Sequence, residues 1–226
     1  IAEHVMGMTL ALARQLPLVL RRQAEHRWAL DEIESAGAVR TLLGRRLTIV
    51  GLGSIGCEVA RLAVPWGLRV SAVRKHARAP VPVDVRLEEV VTPDRLFDVL
   101  ARTDVLVLST ALTPETRSLV GREALDVIKR GALLINIGRG KLLDDAAVVE
   151  ALTDGRLGGA ALDVFTREPL DACSPYWDLP NVIVTPHMSG AMEDYWTPLV
   201  ALFADNLRRF EAGQPLVNVV DKRAGY

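Results

Sequence analysis

Residues 47–56, with the sequence LTIVGLGSIG, constrain the fold of this chain more than any other stretch. The first four form a short apolar run, rich in β-branched side chains, that is typical of a strand buried on both faces. Apolar residues from Ile55 onward recur at helical spacing, so the glycines lie at a turn between a strand and a helix. In such a turn Gly51 allows the tight bend, Gly53 lets a pyrophosphate approach the backbone, and Gly56 lets the helix pack against the strand. The motif predicts a dinucleotide site, although the same glycines could form a tight turn that binds no ligand.

Strands alternate with helices along the rest of the chain. Further strands are predicted at residues 68–73, 105–108, 132–137, 159–164 and 182–185. Helices are predicted at residues 1–23, with a kink or break at Pro17, and at residues 93–102, 122–128, 144–155 (with Asp144 as N-cap) and 191–212. Because the alternation runs without internal repeats, we predict an α/β fold with a doubly wound parallel sheet covered on both faces, as in Rossmann-like dinucleotide-binding domains.

We find no linker that divides the sequence, so we expect one dinucleotide-binding domain over residues 1–226. Its parts are a long helix at 1–23, a Rossmann core at 44–190, a C-terminal helix at 191–212 and a tail at 213–226.

The charge balance and the cysteines argue against several classes of protein. With 27 basic and 28 acidic residues the formal net charge is −1, which gives no electrostatic basis for binding nucleic acid or an anionic membrane. Cys57 and Cys173 are far apart and lie in no CxxC or Cys/His cluster, so we predict no metal site and a reducing cytoplasm. No apolar run approaches the roughly 18 residues of a membrane span, and the N-terminus lacks the residue order of a signal peptide.

The residues after the second predicted strand bear on the choice of cofactor. Dinucleotide folds usually place an acid there, about 20 residues after the first glycine, to bind the adenine ribose hydroxyls. Here Arg74 and Lys75 occupy that place, His76 and Arg78 add positive charge, and no acid occurs before Asp84. A guanidinium can form a charge-assisted fork with a 2′-phosphate, which a carboxylate would repel. We therefore predict NADP in preference to NAD, the alternative being solvated cations on a loop.

Three stretches that follow predicted strands point to a proton-transfer site. Arg139 stands between two glycines at the end of a strand, where ligands bind in open α/β sheets, and could hold a carboxylate. Glu168 and His187 follow the next two strands, and a glutamate bonded to a histidine stabilises the imidazolium, which can donate a proton to a substrate oxygen. Taken singly, Arg139 could be a surface arginine, Glu168 a turn or cap residue, and His187 a structural histidine. Because all three follow predicted strands, we favour a proton-transfer site. The other histidines have no partner motif and are interpreted as surface or loop residues: His4, His26 and His76.

With these residues identified, the sequence resembles the D-isomer-specific 2-hydroxyacid dehydrogenase family over almost its whole length. The matching stretches are residues 52–56, 112–116, 135–140, 161–169 and 185–187. The resemblance implies that Arg139 binds the substrate carboxylate and carbonyl, that His187 is the acid/base, and that Glu168 orients and charges His187. It also implies a set of cofactor contacts beyond the three glycines, Arg74 and Lys75. These are Ser54 and Ile55 at the pyrophosphate, Thr110, Thr116, Ile137 and Gly138 on the nicotinamide side, Asp163 on the nicotinamide carboxamide, and Arg139, His187 and Gly190 nearby.

Among branches of the family, residues 206–226 look like the ending of the glyoxylate/hydroxypyruvate reductases and their 2-ketoacid reductase relatives. No regulatory domain follows, which counts against the larger phosphoglycerate dehydrogenases, and Glu168 counts against the formate dehydrogenases. Two residues depart from the family pattern. Ala111 replaces a proline before the LTPET loop, which bears on the nicotinamide wall, and Arg74 replaces the usual acid, which bears on cofactor choice.

Family members fold a first lobe, partly from residues before the long helix, that contributes to the substrate site. This sequence starts at that helix without an initiating Met, so we expect a cofactor-binding domain that carries the three catalytic side chains but lacks most of the substrate lobe. The first helix resembles the region through which family members dimerise, so we expect a homodimer. The leading hypothesis is NAD(P)H-dependent reduction of a small 2-oxo acid such as glyoxylate or hydroxypyruvate. The alternative is a non-catalytic NAD(P)-binding dimerisation or sensing module, or a truncated dehydrogenase.

Overall fold

The computed structural model describes residues 1–35 and 39–222. Contacts group the chain into two units, Ile1–Ser189 and Gly190–Tyr226, which are described separately below. The last residues of the predicted tail, 223–226, lie outside the described part of the chain.

Within the described residues, seven strands form one parallel sheet in the first unit. They are β1 (Arg46–Val50), β2 (Arg69–Val73), β3 (Glu89–Val91), β4 (Val105–Leu108), β5 (Ala132–Asn136), β6 (Leu157–Leu162) and β7 (Val182–Val184). The strand order is β3-β2-β1-β4-β5-β6-β7, with every neighbouring pair parallel. The predicted parallel α/β sheet is confirmed.

Helices follow most of the strands. In the first unit they are α1 (Ala2–Ala13), α2 (Leu16–Ala24), α3 (Leu30–Ser35), α4 (Ser54–Ala63), α5 (Leu96–Leu100), α6 (Arg122–Val127) and α7 (Asp145–Thr153). Short 3₁₀ turns occur at Val64–Trp66, Pro93–Arg95, Gly140–Leu142 and Pro175–Trp177. Asp144 caps α7 as predicted, since its side chain accepts a hydrogen bond from the Ala147 N–H at 3.2 Å.

The strands divide their side chains between two cores, one on each face of the sheet. In β4, Leu106 and Leu108 lie in a core with α5, α6 and α7, whereas Val105 and Val107 lie in a core with α1 and α4. All four side chains are at most 2% exposed. Successive side chains of a strand point to opposite faces, so a strand covered by helices on both sides must be apolar throughout. This explains why a continuous apolar run in the sequence predicted β4.

The predicted helix at residues 1–23 differs from the structure, in which it is two helices. The chain leaves α1 at Arg14, and Gln15 adopts a left-handed conformation with φ of 58° before α2 begins at Leu16. Pro17 lies in the first turn of α2, where its missing N–H costs nothing. The proline therefore starts a second helix instead of bending one long helix.

The order in which strands are added to the sheet reverses beside β1. The chain passes from β1 outward to β2 and β3, and then crosses to β4 on the other side of β1. In open parallel sheets this switch point leaves a crevice outside the carboxyl ends of the two central strands, where ligands bind. The turn after β1 and the loop after β4 both lie at this crevice.

The second unit contains α8 (Trp196–Glu211), which begins five residues later than the predicted start at residue 191. The Asp194 side chain accepts a hydrogen bond from the Thr197 N–H at 3.2 Å and so caps the first turn. Asn206 exchanges two hydrogen bonds with the backbone of Val217, at 2.9 and 3.1 Å, which holds the following segment against the helix.

Candidate active site

The glycine turn after β1 has the geometry that its sequence predicts. Gly51 has φ of 100°, and a Cβ there would lie 2.6 Å from the Thr110 backbone nitrogen, so only glycine fits. A Cβ on Gly56 would collide with the Gly51 carbonyl oxygen, which shows how closely α4 packs on the turn. Gly53 is the N-cap of α4, and no heavy atom of the described residues lies within 4 Å of the place its Cβ would take. This open backbone before the first amides of α4 fits an approaching pyrophosphate.

The loop after β4 is braced by hydroxyl groups. Ser109 donates a hydrogen bond to the Gly51 carbonyl at 2.8 Å and so ties this loop to the glycine turn. The Thr116 hydroxyl accepts from the Thr113 N–H at 2.7 Å and donates to the Ala111 carbonyl at 2.8 Å. Thr116 therefore shapes the loop with its side chain. Any contact that it makes with a nicotinamide remains a prediction.

The loop after β2 gives Arg74 a different setting from the one predicted. Its Nη2 donates to the carbonyls of Ala77 and Ala79, and its buried Nε has no hydrogen-bond partner among the described residues. Two arginines, a lysine and a histidine line an open cavity of about 600 Å³ after β2 and β3: Arg78, Arg95, Lys75 and His76. Arg74 thus holds the loop in shape. Arg95 is paired with Asp98, whereas Lys75 and Arg78 are exposed beside the cavity and could bind an anion.

Glu168 and His187 meet at the carboxyl ends of β6 and β7. His187 Nδ1 lies 2.7 Å from Glu168 Oε2, and Glu168 Oε1 accepts from the Phe165 N–H at 2.9 Å. Burial acts to raise the pKa of the Glu168 carboxyl, but the hydrogen bonds from His187 and Phe165 outweigh it and hold that pKa below its usual range. Glu168 is therefore ionised at neutral pH and accepts the Nδ1 proton of His187. The imidazole is 51% exposed, which leaves its Nε2 edge available to a substrate.

Arg139 follows β5, the neighbour of β6 on the side opposite β7. Its side chain is exposed, and Nη1 donates to the Gly138 carbonyl at 2.7 Å. Asn136, which is fully buried, accepts from the Gly138 N–H at 3.1 Å and donates to the Arg139 carbonyl at 3.0 Å. Asn136 therefore sets the backbone that carries Arg139. Sequence reasoning missed it, although a polar residue at the end of an apolar strand is a usable signal.

Asp163 lies at the end of β6 and is 1% exposed. It accepts hydrogen bonds from the Thr185 hydroxyl at 2.6 Å and from the backbone N–H groups of Met188 and Ser189 at 2.9 Å. Burial acts to raise the pKa of Asp163, but these hydrogen bonds lower it further than burial raises it. The structure thus shows that Asp163 binds the segment around His187. A contact with the nicotinamide carboxamide remains a prediction.

The remaining predicted cofactor residues occupy different settings. Ser54 is exposed at the start of α4 and Ile55 is half-buried beside it. The Ile137 side chain packs in the core with α1 and α4, so only its backbone faces the crevice edge. Gly190 belongs to the second unit. Within residues 1–35 and 39–222, no three His, Cys, Asp or Glu side chains gather as a metal site would require.

Because β5, β6 and β7 are parallel neighbours, Arg139, Glu168 and His187 follow their carboxyl ends at one edge of the sheet. A Cβ on Gly140 would collide with the Phe165 carbonyl carbon, so the loops after β5 and β6 are in direct contact. The arrangement offers an anion-binding cation and a carboxylate-supported imidazole beside the crevice at β1 and β4.

Comparisons with known proteins are consistent with this geometry. The family model of the D-isomer specific 2-hydroxyacid dehydrogenase NAD binding domain matches residues 6–189. The chain is similar to glyoxylate/hydroxypyruvate reductase B of Pectobacterium carotovorum, with 35% identity over 98% of this chain and 68% of that protein. Curated relatives of this kind also include phosphoglycerate and glycerate dehydrogenases, and the chain spans between 40% and 68% of their lengths.

Two solved structures share the fold. A D-isomer specific 2-hydroxyacid dehydrogenase from Xanthobacter autotrophicus, in complex with NADPH and MES, is 36% identical with a TM-score of 0.83, over 100% of this chain and 88% of that one. An NADPH-dependent glyoxylate/hydroxypyruvate reductase from Sinorhizobium meliloti, in complex with NADP and sulfate, is 35% identical with a TM-score of 0.84, over 100% of this chain and 69% of that one.

Proposed function

The chain belongs to the D-isomer-specific 2-hydroxyacid dehydrogenase family, and from this premise we propose that it binds NAD(P) and carries the proton-transfer residues of a reductase. The reaction interconverts a small 2-oxo acid and its D-2-hydroxy acid. The observation that carries the proposal is the 2.7 Å contact between His187 and Glu168, at the sheet edge where Arg139 also lies. We take glyoxylate or hydroxypyruvate as substrate, because the Pectobacterium and Sinorhizobium relatives bear those names.

The roles of the three side chains follow from their chemistry. The Arg139 guanidinium binds the substrate carboxylate and polarises the carbonyl. With Nδ1 bonded to Glu168, protonated His187 donates its Nε2 proton to the carbonyl oxygen, and it takes that proton back in the reverse direction. Ionised Glu168 stabilises the imidazolium before the transfer. When bound, a reduced nicotinamide supplies the hydride that reaches the carbonyl carbon.

The residues present fit a dinucleotide along the crevice. The turn at Gly51, Gly53 and Gly56, with Ser54 and Ile55, would hold the pyrophosphate at the start of α4. The cations after β2 would hold the 2′-phosphate, which favours NADP. The proposed nicotinamide side is formed by Thr110, Thr116, Ile137, Gly138 and Asp163, with Gly190 assigned to it from sequence alone.

The direct test is to mix the purified full-length protein with NADPH or NADH, add glyoxylate or hydroxypyruvate, and follow cofactor oxidation together with cofactor binding. Turnover with either acid supports the proposal. Cofactor binding without turnover of any small 2-oxo acid would favour the alternative of a non-catalytic sensing module. Absence of cofactor binding would contradict both.

Arg74→Asp should shift the cofactor preference from NADPH toward NADH. The substitution removes the guanidinium that holds the loop carbonyls and places a carboxylate beside the proposed 2′-phosphate. We expect the Kd for NADPH to rise by about tenfold or more, because the loop loses its support and the new carboxylate repels the phosphate. Arg130→Asp, which changes the same charge at the amino end of β5, is the matched control. If fluorescence titrations give an unchanged ratio between the Kd for NADPH and the Kd for NADH, this account of the loop is contradicted.

Glu168→Gln should reduce turnover. The amide can still accept the Nδ1 proton of His187 but carries no negative charge, so the imidazolium loses its partner. We expect reduction at neutral pH to slow by about ten- to a hundredfold. Glu150→Gln, which removes the same charge from the ion pairs with Arg122 and Arg156, is the control. Turnover equal to that of the unsubstituted protein would show that the negative charge of Glu168 does not assist His187.

The predicted homodimer and cytoplasmic location stay predictions. Apolar side chains of α1 and α2 are left exposed, by 38% at Leu10, 42% at Leu16 and 60% at Leu20, as a second copy would require. Among the described residues, the structure contains no helix that is long and apolar enough to span a membrane.

A further inference from the structure

Three polar side chains connect α1 to the loop that carries His187. His4 lies in the first turn of α1, Thr185 directly follows β7, and Asp163 follows β6. Thr185 Oγ1 lies 2.6 Å from Asp163 Oδ1 and 3.3 Å from His4 Nε2. His4 and Thr185 are 181 positions apart in sequence, and only the order of the strands brings them together.

The direction of each hydrogen bond follows from the protons available. An ionised carboxylate can only accept, so the Thr185 hydroxyl donates its single proton to Asp163. The hydroxyl oxygen can then only accept from His4, whose Nε2 must therefore carry a proton. The hydrogen bonds run in one direction, from the His4 ring to Thr185 and from Thr185 to Asp163.

Asp163 also holds the backbone just beyond His187. Its two oxygens accept from the N–H groups of Met188 and Ser189, both at 2.9 Å. His187 itself has φ of 53°, in the left-handed region that side chains with a Cβ rarely adopt. Such a conformation persists only where the surroundings impose it. The buried carboxylate accepts hydrogen bonds from Thr185, Met188 and Ser189, and these fix the backbone around His187.

We propose that His4, Thr185 and Asp163 form a positioning chain that fixes the backbone of His187 and so sets the place from which its imidazole acts. None of the three is a catalytic residue in this role, and the inference rests on the proposed function of His187. The family resemblance assigns Asp163 to the nicotinamide. The positioning chain gives it a further task within the protein, in which His4 takes part from α1.

The sharpest test uses His4, to which neither the sequence nor the resemblance gives a cofactor or substrate contact. His4→Leu removes the donor to Thr185, whereas His4→Gln retains an N–H donor on a side chain of similar reach. In His4→Leu we expect the amides of Met188 and Ser189 to exchange with deuterium about tenfold faster, because the loop opens more often. We expect kcat to fall by about tenfold or more while the Kd for NADPH stays unchanged, because the reacting group is misplaced. His4→Gln should retain most of the amide protection at Met188 and Ser189 and most of kcat.

Thr185 provides a second pair of variants should His4→Leu fold poorly. Thr185→Val keeps the shape of the side chain but removes the hydroxyl, and Thr185→Ser keeps the hydroxyl. Thr185→Val should give the faster amide exchange and Thr185→Ser should not.

Amide exchange at Met188 and Ser189 that is unchanged in both His4→Leu and Thr185→Val would overturn the positioning chain, whatever happens to turnover. Faster exchange in a protein that reduces no 2-oxo acid would support the chain and refute the proposed function instead. The two proposals can therefore fail separately.

Discussion

His187→Ala should lower kcat for reduction of the 2-oxo acid by about 10²–10⁴-fold while the Kd for NADPH stays within about twofold of its original value. The imidazole is the proposed proton donor, so its loss removes the acid from the transition state. Its side chain is 51% exposed and lies outside both cores, so little packing is lost with it. Stopped-flow turnover and fluorescence titration with NADPH measure the two quantities on the same samples.

Two further variants control for the backbone at this position. His26→Ala removes another exposed histidine that also has a positive φ, 55° against 53° for His187, and should leave kcat unchanged. His187→Asn removes the imidazole but introduces a residue that tolerates the left-handed region, and should lose as much activity as His187→Ala. Equal losses of cofactor binding and turnover in both His187 variants would mean that the histidine has a structural role.

Gly51→Ala and Gly53→Ala should separate the fold of the glycine turn from its binding function. At Gly51 a methyl group meets the Thr110 backbone at 2.6 Å and the φ of 100° is unfavourable for alanine. We expect the free energy of unfolding to fall by on the order of 3 kcal/mol. At Gly53 the methyl group meets no described atom, so stability should stay within about 0.5 kcal/mol.

Gly53→Ala should nevertheless weaken NADPH binding by about tenfold or more, because its methyl group occupies the place where the pyrophosphate approaches the backbone. Urea unfolding and fluorescence titration measure the two effects. Full NADPH affinity in Gly53→Ala would show that the pyrophosphate lies elsewhere. Full stability in Gly51→Ala would show that the turn can relax away from Thr110.

The sheet was predictable from sequence where burial on both faces forced continuous apolar runs. β4 matches its prediction, Val105–Leu108, because each of its four residues enters one of two cores. β3, Glu89–Val91, was missed because it is a three-residue strand at the edge, with half-buried side chains and a glutamate at its start. The break at Gln15 was placed too late, at Pro17, because a proline is as compatible with the first turn of a new helix as with a kink.

The candidate site was predictable only in part. Arg139, Glu168 and His187 could be identified because each follows a predicted strand, and parallel strands bring their carboxyl ends to one edge. Two residues have settings that the sequence did not predict. The setting of Arg74 depends on the path of its own loop, which no local pattern specifies. His4, interpreted as a surface residue, is half-buried and contacts Thr185. That contact depends on strand order, which a single sequence does not encode in any local motif.

The contact between His4 and Thr185 also sets an order of events during synthesis. Thr185, which follows β7, is made 181 residues after His4 of α1. At about 5–20 residues per second, that interval is roughly 9–36 s, during which domains can already fold from their N-termini. The first helix can therefore pack on the early strands long before the segment that carries His187 exists. The nascent chain can acquire most of its sheet while it still lacks the residue proposed to perform the chemistry.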